Sequence, residues 1–265
     1  MRDGVNQPAK RKEEFMQIKA IITDLDRTLL HTDKTISPYT LEVFRACKEK
    51  GIVLLAATAR PERAIEEYRK QIPFDAVTVT NGARVLLPRK ELQYGISHES
   101  GEAIIAEFMK VPDLILSVEM STGLYSNVNI PEWMPVIHNG FPKLPSDGVL
   151  YKVLASSVNP KLYKMEEGVM REDTYYSIAN NTLIQVMSKK ATKWNGVRTM
   201  LEALKIPAEC AVYFGDDNDD VESIRKCGMG VAVSNAIPEV LAVADKIARS
   251  NDEDGVARFV KENVL

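Results

Sequence analysis

The sequence predicts an α/β fold: a parallel sheet covered by helices on both faces, with an α+β module inserted into it. Two observations carry this. Near-continuous apolar runs alternate with helix-patterned stretches at both ends of the chain, which is the pattern of strands buried on both faces. Between about residues 84 and 189 that rhythm gives way to proline breaks and closely spaced strand candidates.

Taken in order, IKAIIT is the first strand. Ser37-Pro38 then reads as an N-cap and first-turn pair opening a helix through LEVFRACKEK, which Gly51 stops. IVLLAA is the second strand, PERAIEEYRKQ a second helix starting at Pro61, and AVTVT the third strand. In the insertion, LILSVEM, GLYSNVNI, VLYKVLAS, YYSIA and TLIQVMS are strand candidates. The opening rhythm then returns: VRTMLEALK as helix, ECAVYF as strand, DVESIRKCG as helix, MGVAV as strand, IPEVLAVA and DGVARFVKENVL as closing helices. The expected organisation is a core from residues 16–83 and 190–265, an insertion over 84–189, and a disordered extension over 1–15, since Met16 reads straight into the first strand.

The 265 residues accommodate one core domain plus a module. A composition 45% hydrophobic and 27% charged is ordinary for a globular protein, and a formal net charge of -3 gives no basic footprint for nucleic acid. Cys47, Cys210 and Cys227 form neither a CxxC pair nor a disulfide framework, and His31, His98 and His138 are too scattered for a zinc site. No apolar run reaches the length of a membrane span, and the charged stretch MRDGVNQPAKRKEEF does not read as a signal peptide, so a cytoplasmic protein with no membrane partner is expected.

Three polar sites follow strand-like runs: Asp24 after IKAIIT, Thr58 after IVLLAA and Asp216 after ECAVYF. Ligands bind at that edge of open parallel sheets, where strand ends and helix N-termini converge. The loop FGDDNDD places four carboxylates in five residues, and such crowding costs stability unless a cation sits there or the side chains splay into water. In DLDRT, Asp24 and Asp26 at i and i+2 offer one group to attack or ligate and another to move protons, although turn-forming aspartates are the plainer reading of that pair alone. Asp24 and Asp216 at neighbouring strand ends could share a hard divalent cation such as Mg2+. An EF-hand is excluded, because Val221 stands where the calcium loop needs glycine and Cys227 where it needs glutamate. Thr58 and the amides after it make an anion site at a helix start, and Arg60 offers a phosphate donor or a solvent-facing first-turn cation. Lys193, with Lys189 and Lys190 as competitors, is a cation able to neutralise phosphate oxygens, or part of a solvated basic linker.

DLDRTLL, ATAR, ATK and GDDNDD, in this order, resemble the four motifs of the haloacid dehalogenase superfamily. TNGA at Thr80 to Ala83 and the ending MGVAVSNAIPEVLAVADKIARSNDEDGVA resemble its Cof-type subfamily IIB. The resemblance implies a Rossmann-like core with an inserted α/β cap, and a Mg2+-dependent phosphatase acting on a small phosphorylated metabolite, sugar phosphates first, as a monomer or homodimer. It implies Asp24 as nucleophile and Asp26 as acid/base. Metal ligation would fall to Asp24, the Asp26 carbonyl, Asp216 and Asp220, and phosphate binding to Thr58, Ala59 and Lys193. Three positions depart from the family's pattern: Arg27 and Ala59 replace glycines, and Asp219 stands where asparagine is expected, so it becomes a possible metal or phosphate contact. A phosphomutase using the same site and a non-catalytic sensor of phosphometabolites are the alternatives. A receiver domain also clusters carboxylates around Mg2+ but needs no inserted module.

Overall fold

The computed structural model describes residues 17–130, 136–139, 144–156, 168–179 and 182–265. The expected extension over residues 1–15 lies outside them.

Two sheets, each with its own apolar core, make up the fold. The first has eight strands. Its central strand β1 (Ala20–Thr23) is flanked by β2 (Val53–Ala57) and, through a long crossover, by β12 (Ala211–Gly215). β3 (Ala76–Val79) lies beyond β2, and β13 (Met229–Val233) and β14 (Lys246–Ala248) lie beyond β12, all parallel. The strands are the apolar runs of the sequence: Ile21, Ile22, Leu54, Leu55, Val212 and Phe214 are fully buried, as helices on both faces require.

Local chemistry fixes the helices. In α1 (Pro38–Glu49) the Ser37 side chain accepts from the Thr40 amide and Pro38 sits in the first turn, while Gly51 leaves the helix at φ +75°. The stretch after Pro61 is not one helix: a 3-10 turn over Glu62–Ala64 is separated from α2 (Glu66–Gln71) by Ile65 at φ -118°, ψ -2°. A buried Ile65 side chain fixes that break by anchoring the chain in the core.

The first sheet continues past residue 83. The chain turns at Thr80–Gly82 into β4 (Arg84–Leu87), which pairs antiparallel with β3, and returns as β5 (Lys90–Gln93). This hairpin, closed around Pro88-Arg89, adds an antiparallel edge to the parallel sheet where the sequence reading begins the insertion.

The second sheet has six strands in the order β10-β11-β9-β6-β7-β8. They are β6 (Ile115–Met120), β7 (Gly123–Ser126), β8 (Val136–Asn139), β9 (Leu150–Ser156), β10 (Thr174–Ala179) and β11 (Leu183–Ser188). The helix α3 (His98–Phe108) covers one face, where Ile104 and Phe108 join Val118, Val153, Ile184 and Val186 in one cluster. Side chains alternate along a strand, so Glu119, Lys152 and Gln185 lie on the other face, toward the first sheet. The chain re-enters the first sheet at α4 (Lys193–Ala203), whose N-cap Thr192 accepts from the Asn195 amide.

Candidate active site

Parallel pairing in the order β12-β1-β2-β3 sets four strand ends side by side, carrying Asp216, Asp24, Thr58 and Thr80-Asn81. The backbone ties them: the Asp24 amide donates to the Phe214 carbonyl, 2.9 Å, and that of Thr58 to Thr78, 3.0 Å. After Asp24 the chain makes a wide turn over Leu25–Leu29 in which Arg27 takes φ 58°. That backbone region favours glycine, which explains the glycine of the family pattern. Here Arg27 is held by its surroundings: Nη2 donates to the Asn235 carbonyl at 3.1 Å, the Asn235 amide donates back to the Arg27 carbonyl at 2.8 Å, and Nε lies 3.7 Å from Asp216 Oδ2.

Asp24, Asp216 and Asp220 are buried, and one carboxylate oxygen of each lies within 4.8 Å of the other two. Lys193, only 3% exposed, places its ammonium 3.1 Å from Asp24 Oδ1 and 2.8 Å from Asp220 Oδ1. Burial disfavours the lysine's charged form, but the charges of Asp220 and Asp24 outweigh it and raise its pKa well above the usual value. Asp24 is pushed well up, by burial first, with Lys193 opposing and Asp220 and Asp216 adding to the rise. Burial and then Asp220 push Asp216 up to about 6, against a hydrogen bond from the Thr28 hydroxyl at 2.8 Å. Three buried carboxylates face the Lys193 ammonium and, at the exposed edge, the Arg27 guanidinium, which leaves one negative charge over and a donor set of hard oxygens that fits a divalent cation.

The members are not equivalent. Asp220 accepts from Lys193 and the Tyr213 hydroxyl on Oδ1, at 2.8 and 2.6 Å, and from the Asp216 and Asp217 amides on Oδ2, at 3.0 and 3.1 Å. These four bonds fill its acceptor capacity. Asp220 thereby fixes the acidic loop and the lysine, and the metal contact expected of it requires one of these bonds to give way. Asp24 and Asp216 keep the more open oxygens.

Asp26 stands apart from this triad. Its side chain is gripped by Arg60, Nε to Oδ2 at 2.6 Å and Nη2 to Oδ1 at 2.8 Å, and receives a third bond from Lys34 at 2.7 Å. Burial would raise its pKa, yet the hydrogen bonds from Arg60 and Lys34 prevail and hold it at about 2. Thr58 is buried, its hydroxyl accepting from the Arg60 amide at 3.2 Å and its carbonyl from the Asn81 amide at 3.1 Å. The Ala59 carbonyl faces Lys152 Nζ at 3.4 Å. Asp219 is joined to neither metal candidate; its Oδ2 accepts from the Asn81 side-chain amide. Asp217 is exposed and caps its own turn.

Four partners escape a reading by motif: Thr28, Lys34, Tyr213 and Lys152. Thr28 was visible as the last polar residue of DLDRT, and Lys152 as the single cation in the apolar run VLYKVLAS. Nothing local marks Tyr213, which reads as strand core.

Comparison with known proteins bears on what such a site is for. The family model described as haloacid dehalogenase-like hydrolase matches residues 21–260. The 5-amino-6-(5-phospho-D-ribitylamino)uracil phosphatase YitU of Bacillus subtilis is 28% identical, over 91% of this chain and 96% of its own. Among solved structures, a haloacid dehalogenase-like hydrolase from Bacteroides thetaiotaomicron aligns with a TM-score of 0.81 at 21% identity, over 93% of this chain and 99% of its own. A HAD subclass IIB sugar phosphatase aligns with a TM-score of 0.81 at 20% identity, over 94% of this chain and all of its own (100%). No helix among the described residues is long and apolar enough to cross a membrane.

Proposed function

The chain belongs to the haloacid dehalogenase-like hydrolases and is a phosphatase; from that premise we propose that it is Mg2+-dependent, acts on a small sugar phosphate and works through an aspartyl-phosphate. The observation that carries this reading is Asp24, buried at a strand end, 3.1 Å from the Lys193 ammonium and within 4.8 Å of a second and third carboxylate.

Mg2+ would be held by Asp24, Asp216 and the Asp26 carbonyl, and would supply the positive charge that lets a phosphate dianion approach these carboxylates. Asp24 Oδ attacks phosphorus while the bond to the leaving oxygen breaks. Asp26 gives that oxygen its proton, then takes one from the water that attacks phosphorus and releases Asp24. To hold that proton Asp26 must loosen its bonds to Arg60, and an arriving phosphate dianion favours this by competing for the guanidinium and raising the carboxyl's proton affinity. Lys193 and the Thr58-Ala59 step clamp the phosphoryl oxygens, where fixed donors matter most because the transition state is loose and rich in charge.

The six-stranded sheet, entered after β5 and left before α4, is the cap that closes over the strand ends and excludes water. Sugar phosphates are the favoured class because the names of two relatives specify substrates with hydroxyl-bearing chains or rings, a phosphoribityl compound and a sugar phosphate.

A phosphate-release screen over sugar phosphates, nucleotides, and flavin and pyridoxal phosphates, each with Mg2+ and with chelator, tests the reading. Release dependent on Mg2+ and greatest for sugar phosphates is expected. Release from none of these compounds, or an undiminished rate in chelator, would overturn it.

A further inference from the structure

Lys152 has no part in the mechanism above, yet it is a buried cation on the second sheet. It is 4% exposed, and lysine is almost never so buried unless something pairs with its charge. Its three partners are neutral oxygens: Asn81 Oδ1, Gln185 Oε1 at 2.9 Å and the Ala59 carbonyl at 3.4 Å. The nearby anions are engaged elsewhere. Glu119 on the adjacent strand is gripped by both Nη atoms of Arg63, and Asp219 accepts from Asn81. The site thus holds an ammonium without an anion of its own, and its weakest bond points at the Thr58-Ala59 step.

The backbone that meets it is strained. Thr80 and Asn81 take φ 53° and φ 55° in succession, and a β-branched residue such as Thr80 adopts that region only when its surroundings force it. The reward for this turn is the position of the Asn81 side-chain amide, which accepts from Lys152 and donates to Asp219. A cation carried on the cap is thereby brought to the catalytic edge of the first sheet, next to the one acidic-loop residue that departs from the family's pattern.

Resting on the phosphatase reading, we infer that Lys152 is the substrate-reading residue of the cap: its ammonium donates to a hydroxyl oxygen of the leaving group beside the transferred phosphoryl, so that the enzyme selects polyhydroxylated phosphomonoesters over aryl ones. Lys193, 3.1 Å from Asp24 Oδ1, already serves the phosphoryl group, which leaves the leaving group for the cap. The neighbours of Lys152 are side-chain amides, Gln185 and Asn81, and such a set satisfies hydroxyls but offers an aromatic ring nothing. Burial lowers the ammonium to about 8, against the charges of Asp219 and Glu119 and with that of Lys193 acting in the same sense as burial. Those are the charged groups that face it, with Arg63 neutralising Glu119.

The test compares Lys152→Met and Lys152→Arg with the wild type on a hexose 6-phosphate and on p-nitrophenyl phosphate, with Mg2+. Lys152→Met is expected to lose about 10–100-fold in kcat/KM on the hexose phosphate, the range for one hydrogen bond from a charged donor, and less than about 3-fold on the aryl phosphate. The wild type's kcat/KM on the hexose phosphate should fall above about pH 8, a limb absent with the aryl phosphate. Lys152→Arg, which stays charged, should keep the preference and lose the limb. Equal losses on both substrates, or none on the hexose phosphate, would overturn the inference and leave the phosphatase reading standing. Release from neither substrate by the wild type would instead bring down that reading and this inference with it. Should the Met variant fail to fold, Lys152→Arg decides alone: an unchanged alkaline limb contradicts the assignment.

Discussion

Arg60 and Asp26 face each other fork to fork, with hydrogen bonds of 2.6 and 2.8 Å, so that the residue proposed to move protons is held as a carboxylate. The pair couples two of the motifs: Asp26 follows β1 and Arg60 follows β2, and the parallel pairing of those strands makes the contact possible. A general acid held at about 2 is unready until the arginine lets go, which ties proton transfer to the arrival of substrate.

Arg60→Met removes the grip. The Asp26 carboxyl is then expected to titrate close to or above its ordinary 3.8 instead of about 2, read by the 13C shift of its side-chain carbon. The sign for stability follows. A carboxyl whose pKa is lower folded than unfolded contributes stability above about pH 4 that is lost as the pH falls toward 2, so the variant should show a shallower loss across that window. A value still near 2 would assign the effect to Lys34.

Thr28 donates at 2.8 Å to Asp216, one of the two carboxylates with open oxygens. Thr28→Val keeps the shape and removes that bond, leaving the carboxylate free to rotate. A loss of about 10–100-fold in Mg2+ affinity by calorimetry is expected, the usual consequence of deleting a partner that orients a ligand. An unchanged affinity would show that the loop alone orients Asp216.

Tyr213→Phe removes the 2.6 Å bond to Asp220 Oδ1. Lys193 stays bound to that oxygen, so the pair is loosened and not broken. Chemical denaturation should show a loss of about 1.5–3 kcal/mol, the range for a hydrogen bond to a charged group. A larger fall in kcat than in Mg2+ affinity is also expected, because the Asp220 oxygen that loses this bond is the one that accepts from the lysine.

The parts of this site that the sequence discloses are those governed by local pattern. An apolar run ending in a polar residue marks Asp24, Thr58 and Asp216, and Ser37-Pro38 announces its helix. Partners supplied by another strand or by the second sheet are hidden. Arg60 could equally be a solvent-facing first-turn residue until β1 and β2 are paired, and Lys152 meets Asn81 only once the two sheets are packed. Counting carboxylates likewise treats unequal members as alike, because the donors that engage Asp220 come from Tyr213, Lys193 and two backbone amides. Strand β5 and its turn, LPRKELQ, alternate too weakly to be placed on the first sheet by periodicity.

The covalent role of Asp24 is tested most directly with Asp26→Ala and p-nitrophenyl phosphate. An aryl leaving group departs without a proton, so the first step survives, while the second, deprived of its base, stalls. A burst of one nitrophenolate per active site is expected, together with phosphate attached to Asp24 in the quenched protein. Slow release without a burst, or phosphate attached to any other residue, would contradict the account.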